Sequence, residues 1–138
     1  MTPLLLDTHV LIWIMEGMLR VPEQVRAEVE RAGDADSLLI SAITPWEIAL
    51  LVSKGRLHLS RDVVEWMEVA LALPGIRLQP LSPAIAIAST RLPWEVHPDP
   101  ADRILLATAR HLGATLVTSD RLLLDYAAQG HVKCLAAG

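Results

Sequence analysis

The sequence predicts an α/β fold, with a largely parallel central sheet flanked by helices in three layers (α/β/α). Three observations lead there. Short apolar, β-competent runs alternate with longer helical patterns along the whole chain. Glycines and prolines punctuate many of the boundaries between them. A length of 138 residues gives room for one covered sheet and hardly for a second core, so 1–138 reads as one domain.

Leu4-Leu5-Leu6 is the first strand, followed closely by a helix over 9–16 that stops near Gly17. Pro22 suits the first turn of a second helix running towards Ala32, with Gly33 beyond its end. Leu38-Leu39-Ile40 forms the next strand and leads into Thr44-Pro45-Trp46-Glu47, which has the spacing of a capping box, and a helix ending near Gly55. Ser60 can cap a helix through Leu73, which Pro74-Gly75 closes. A short strand over 76–78 precedes Ser82-Pro83, which opens an Ala/Ile helix that must end before Pro93. Asp99-Pro100-Ala101-Asp102 starts another helix, with Asp99 as N-cap and Gly113 just past its end. Thr115-Leu116-Val117-Thr118 is the clearest strand of the second half, and a helix over 122–128 and a strand over 132–135 complete the order.

Composition narrows the function. Hydrophobic residues make up 52% of the chain and mean hydropathy is +0.38, an apolar surplus that points to surface reserved for another chain. With 12 basic and 16 acidic residues the formal net charge is -4. That argues against a broad basic clamp on nucleic acid, but not against an enzyme that meets one phosphate through metal ions. Cys134, the single cysteine, allows neither an internal disulfide nor a cysteine-rich zinc site and reads as an inert, partly buried thiol. The 5 histidines lack the paired spacing of a helical zinc enzyme, and His97 stands in a proline-rich stretch that is either a rigid loop or a substrate contact. No Gly-rich phosphate loop, dinucleotide fingerprint or serine elbow is present. The 4 tryptophans read as core or interface residues rather than a base-stacking array. No apolar run has the length of a membrane span or the form of a basic-start signal peptide, so a cytoplasmic protein without membrane partners is expected.

The functional signal lies in where the acids fall. Asp7 ends the first strand, Glu47 and Asp102 lie in first turns of helices, and Asp120 follows the strand 115–118. In a parallel α/β domain, strand ends and the helix starts that follow them gather along one sheet edge, where ligand sites form. Four carboxylates in one cleft are costly alone and favourable around a hard divalent cation such as Mg²⁺ or Mn²⁺. Such a cation polarises phosphate oxygens and activates water, which suits phosphodiester hydrolysis without a protein nucleophile. Each acid also has a local explanation: a capping box for Glu47, an N-cap for Asp99, a turn for Asp7, and the helix dipole for Asp120. Asp102 is favoured over Asp99 for metal chemistry because Asp99 is employed by the backbone. Thr8 and Thr118 are placed to orient a carboxylate or water, and Ser119 to cap the last helix. Arg103 is placed equally for a phosphate contact or a structural salt bridge.

These residues resemble a known family. Leu4-Leu5-Leu6-Asp7-Thr8-His9, Ser41-Ala42-Ile43-Thr44-Pro45-Trp46-Glu47-Ile48, His97-Pro98-Asp99-Pro100-Ala101-Asp102-Arg103 and Leu116-Val117-Thr118-Ser119-Asp120 are similar, in order and spacing, to the motifs of PIN-domain ribonucleases, especially VapC toxins of toxin–antitoxin pairs. The resemblance implies a PIN-like fold over 1–138, with Asp7, Glu47, Asp102 and Asp120 at the acidic, metal-supporting positions. It also implies RNA cleavage with Mg²⁺ or Mn²⁺, frequent homodimerisation, and inhibition by a VapB-like antitoxin that links the toxin only indirectly to operator DNA. A DNA or structure-specific nuclease and a non-catalytic regulatory module are the alternative expectations.

Overall fold

The computed structural model describes residues 2–94 and 99–138. In chain order its elements are β1 (Leu4–Leu6), α1 (Thr8–Met15), α2 (Glu23–Asp34), β2 (Leu38–Ser41), α3 (Ile43–Ser53) and α4 (Val63–Leu71). Then follow β3 (Ile76–Gln79), α5 (Pro83–Ala88), α6 (Pro100–Leu112), β4 (Thr115–Thr118), α7 (Arg121–Ala128) and β5 (Lys133–Ala136). The strands form a 5-stranded sheet in the order β3-β2-β1-β4-β5, and every pairing is parallel. The α/β prediction thus holds, with helices supplying the crossovers that parallel strands require.

The triple leucine of β1 explains the layers. Side chains alternate across a strand, so Leu4 and Leu6 join Leu38, Ile40 and Val117 on one face, packed by α1, α2 and α4. Leu5, Leu39 and Leu116 face the other way, against Leu105 and Leu106 of α6 and Leu123 and Tyr126 of α7. A strand buried on both faces reads as a continuous apolar run, as this one does. Trp66 of α4 is 1% exposed and is among the largest side chains of the first layer. Among the described residues no helix is long and apolar enough to cross a membrane.

Several local expectations are corrected. Helix α2 continues to Asp34, so Gly33 lies inside it rather than beyond its end. The close approach is demanded of Gly75 instead, at φ +80: a Cβ on it would stand 1.7 Å from the Gly33 carbonyl oxygen, whereas a Cβ on Gly33 would meet the Pro74 carbonyl oxygen at 3.4 Å. Asp62, not Ser60, caps α4, accepting from Val64 N–H at 3.0 Å. Ser60 instead donates both its N–H and its hydroxyl to the Glu16 carboxylate. Thr44 does not form a capping box with Glu47. It lies within α3, where the Ile43 N–H goes to Ser41 Oγ at 3.1 Å. The last strand starts at Lys133, in register with Thr115.

Candidate active site

The sheet order reverses beside β1: β2 and β3 lie to one side of it, β4 and β5 to the other. At such a switch point the connections leave in opposite directions and open a crevice beyond the strand ends. Asp7, the residue after β1, enters it. Its N–H donates to the Val117 carbonyl at 2.9 Å, fixing it against β4. It stands at the N-cap of α1, but its side chain makes no capping bond and instead accepts from Thr118 Oγ1 at 2.7 Å. The carboxylate is thus held across the crevice at 6% exposure.

One hydroxyl organises two acids. Thr118 Oγ1 also accepts the Asp120 N–H at 3.0 Å. Asp120 caps α7, its Oδ1 accepting from Leu122 and Leu123 N–H at 2.8 and 3.2 Å, so the cap expected of Ser119 belongs to Asp120. We predict that Thr118→Val leaves Asp7 without its donor and lowers stability by about 1–3 kcal/mol, read by urea unfolding. Thr118→Ser should restore most of the loss.

On the opposite wall, Glu47 comes from α3 and Asp99 and Asp102 from the start of α6. Asp99 Oδ1 caps α6 by accepting from Ala101 and Asp102 N–H at 2.8 and 3.1 Å. Its carboxylate nevertheless also belongs to the cluster: Glu47, Asp99 and Asp102 each offer an oxygen, and these lie within 4.8 Å of one another. Capping and clustering coexist at this residue, so Asp99 stands closer to the centre than the sequence suggests. Thr44, missed as a site residue, is fully buried and shares a 3.1 Å hydrogen bond between hydroxyls with Thr8. Its capping-box spacing with Glu47 hides this role in the sequence, because the partner, Thr8, lies on another helix. Arg103 donates from Nε to the Ser89 carbonyl at 3.0 Å, tying α6 to the end of α5. His97 lies outside the described residues.

The electrostatics are those of anions forced together. Burial raises the Asp7 carboxyl above the ordinary carboxylate range, against the pull of its Thr118 hydrogen bond. Burial likewise raises Glu47, moderated by the Thr8 hydroxyl, with Asp7 and Asp99 adding repulsion. Asp102 is pushed up to about 8, first by burial and then by Asp7, Asp99, Asp120 and Glu47. Glu47 Oε1 is buried and, among the described residues, accepts no hydrogen bond. An orphaned carboxylate oxygen among further carboxylates is a donor set of hard oxygens, and it fits a divalent cation of the Mg²⁺ or Mn²⁺ kind. Away from this cluster, burial pushes the Cys134 thiol up to about 11, which matches the inert cysteine expected.

An α/β fold with buried acids at its switch point defines a class, and sequence comparison names it: the PIN domain matches residues 4–129, and the chain belongs to that family. Within it the chain is of the VapC type: it is 34% identical over 126 residues to Ribonuclease VapC22 of Mycobacterium tuberculosis, covering 91% of this chain and 93% of that protein. The fold recurs in the crystal structure of VapBC2 from Rickettsia felis bound to a promoter DNA fragment, with TM-score 0.70, 15% identity and 98% of each chain covered. FitAcB from Neisseria gonorrhoeae aligns with TM-score 0.66 and 24% identity over 97% of each chain.

Proposed function

We propose that this protein is a Mg²⁺- or Mn²⁺-dependent endoribonuclease, the VapC-type toxin of a toxin–antitoxin pair. The observation that carries the reading is the Glu47 oxygen, buried beside Asp99 and Asp102 and, among the described residues, without a hydrogen-bond donor. Asp7 and Asp102 are the leading ligands, Glu47 completes the set, and Asp120 adds negative field while holding α7. A cation bound there would polarise an RNA phosphate and make water a stronger nucleophile. Glu47, with one carboxylate oxygen that accepts no hydrogen bond among the described residues, would be the side chain placed to complete the hold on that cation or to accept a proton beside it. Thr118 keeps Asp7 aimed into the crevice throughout.

The ribonuclease VapC22 relative and the VapBC complexes support a VapB-like antitoxin as partner, with operator DNA reached through it. Exposed apolar side chains such as Leu19, Val64 and Ile87 offer surface for that antitoxin and for a homodimer. We place the protein in the cytoplasm, acting as one PIN domain over 1–138. Purified protein incubated with total RNA and Mg²⁺ or Mn²⁺, with end mapping of the products, tests the activity. Discrete cuts that vanish with EDTA are expected. Cutting of matched DNA but not RNA would shift the reading to a DNA nuclease, and intact RNA under all conditions would overturn it.

A further inference from the structure

Beside the acid cluster, α3 and the start of α6 enclose a hollow of about 220 Å³ whose lining includes Glu47 and Asp99, together with Trp46, Lys54 and Arg56. Its chemistry is unlike that of the cluster. Trp46 is 55% exposed, although an indole is among the side chains that gain most from burial. The sequence pattern predicts a core or interface position for this tryptophan, and the fold places it on an open wall of the hollow.

The local structure explains why two cations join it. Trp46 and Leu50 lie four residues apart on one face of α3, and Lys54, its C-cap, follows at the same spacing. Gly55, at φ +68, then turns the chain back. Its N–H donates to the Val52 carbonyl at 3.0 Å and the Arg56 N–H to the Leu51 carbonyl at 3.0 Å, which returns Arg56 to the same end of the helix. Lys54 and Arg56 are both exposed, and neither takes part in an ion pair among the described residues. In a chain of net charge -4, two such cations beside a nest of carboxylates are local exceptions to the overall sign.

We propose that this hollow is a nucleotide subsite for single-stranded RNA, in which Trp46 stacks on one base and Lys54 and Arg56 hold the phosphate next to the one that is cut. The inference rests on the nuclease reading and extends it to how the substrate is held. Single strands are bound by this combination of aromatic platforms and cations. A volume below the roughly 300–1,000 Å³ that encloses a whole ligand suits part of a longer polymer crossing the surface. Sharing Glu47 and Asp99 with the acid cluster makes the hollow the adjoining step on one path.

The test uses the full chain in two arms. In the first, steady-state cleavage of a single-stranded RNA is compared for wild type, Trp46→Ala, Trp46→Phe and the double variant Lys54→Ala/Arg56→Ala. KM should rise about 10-fold or more for Trp46→Ala with kcat changed less than about threefold, and Trp46→Phe should recover most of it. In the second arm, fluorescence anisotropy follows a labelled single-stranded oligoribonucleotide binding to Asp7→Asn protein with and without these changes. The double variant should bind more weakly, with a log–log salt slope smaller by about 0.7, the loss of one neutralised phosphate on a single strand. Normal cleavage with unchanged KM and binding in both variants would overturn the subsite and leave the nuclease standing. Absent cleavage with RNA binding still lost on Trp46→Ala would support the subsite and remove the nuclease reading. Thermal unfolding close to wild type confirms that the variants are folded.

Discussion

Asp7→Asn should yield a folded protein whose divalent-ion-dependent RNA cleavage falls at least a hundred- to a thousandfold, on the order of 3–4 kcal/mol of transition-state stabilisation. The substitution keeps the size of the side chain and an oxygen that can still accept from Thr118 Oγ1, which stands 2.7 Å from the native carboxylate. What it removes is the charge. Asp7 is the acid most enclosed by the crevice and one of the groups that raise both Glu47 and Asp102. Losing it relieves repulsion in the cluster, so thermal stability should be unchanged or higher. Circular dichroism and end-mapped RNA products measured on one preparation check both halves. Turnover equal to wild type would remove Asp7 from the chemistry.

Asp102→Asn should separate stability from activity even more clearly. The ordinary carboxyl value of 3.8 rises to about 8 in the fold, so folding takes up a proton at this group between those limits. Its favourable contribution is complete below the unfolded value and is lost as pH climbs through the folded one. Cation-free wild type should therefore lose stability from about pH 5 to pH 8, by about 1–2 kcal/mol from this partly exposed group once solvent screening is allowed for. Asp102→Asn should flatten that decline and raise Tm at pH 8 by about 3–8 °C. Added Mg²⁺ should stabilise wild type at pH 8 through binding to the folded state, and the variant much less. RNA cleavage by the variant should fall by about a hundredfold or more. Parallel pH–Tm curves for the two proteins would contradict burial and neighbouring acids as the force that raises Asp102.

Much of the architecture is legible in the residues. Alternating strands and helices point to a parallel sheet, and acids at strand ends and helix starts point to one edge of it. What local pattern does not carry is anything decided across the sheet. A run such as Leu4-Leu5-Leu6 is equally apolar to both sides, so it fixes neither the neighbours of β1 nor its central place. Gly33 reads as a helix stop because glycine most often signals one, yet α2 runs through it to Asp34, and the glycine that packing requires is Gly75, which abuts its carbonyl from across the fold. Thr44 and Glu47 have the spacing of a capping box, but the Thr44 hydroxyl is taken by Thr8, distant in sequence. Asp99 reads as a helix cap and therefore as the lesser candidate for the cluster, yet one carboxylate fills both roles.

The bond from Thr118 to Asp7 joins residues 111 positions apart. During synthesis the aspartate emerges early, yet its donor and the strand that carries it come only after most of the chain has been made. A contact between residues so distant in sequence carries a loop-closure cost and needs both of its strands to be present. A growing polypeptide therefore lacks an organised centre until β4 has inserted beside β1, and any truncation before Thr118 leaves the early acid unanchored. The anchoring of Asp7 is therefore a property of the paired β1 and β4 strands and not of the N-terminal segment that carries the acid.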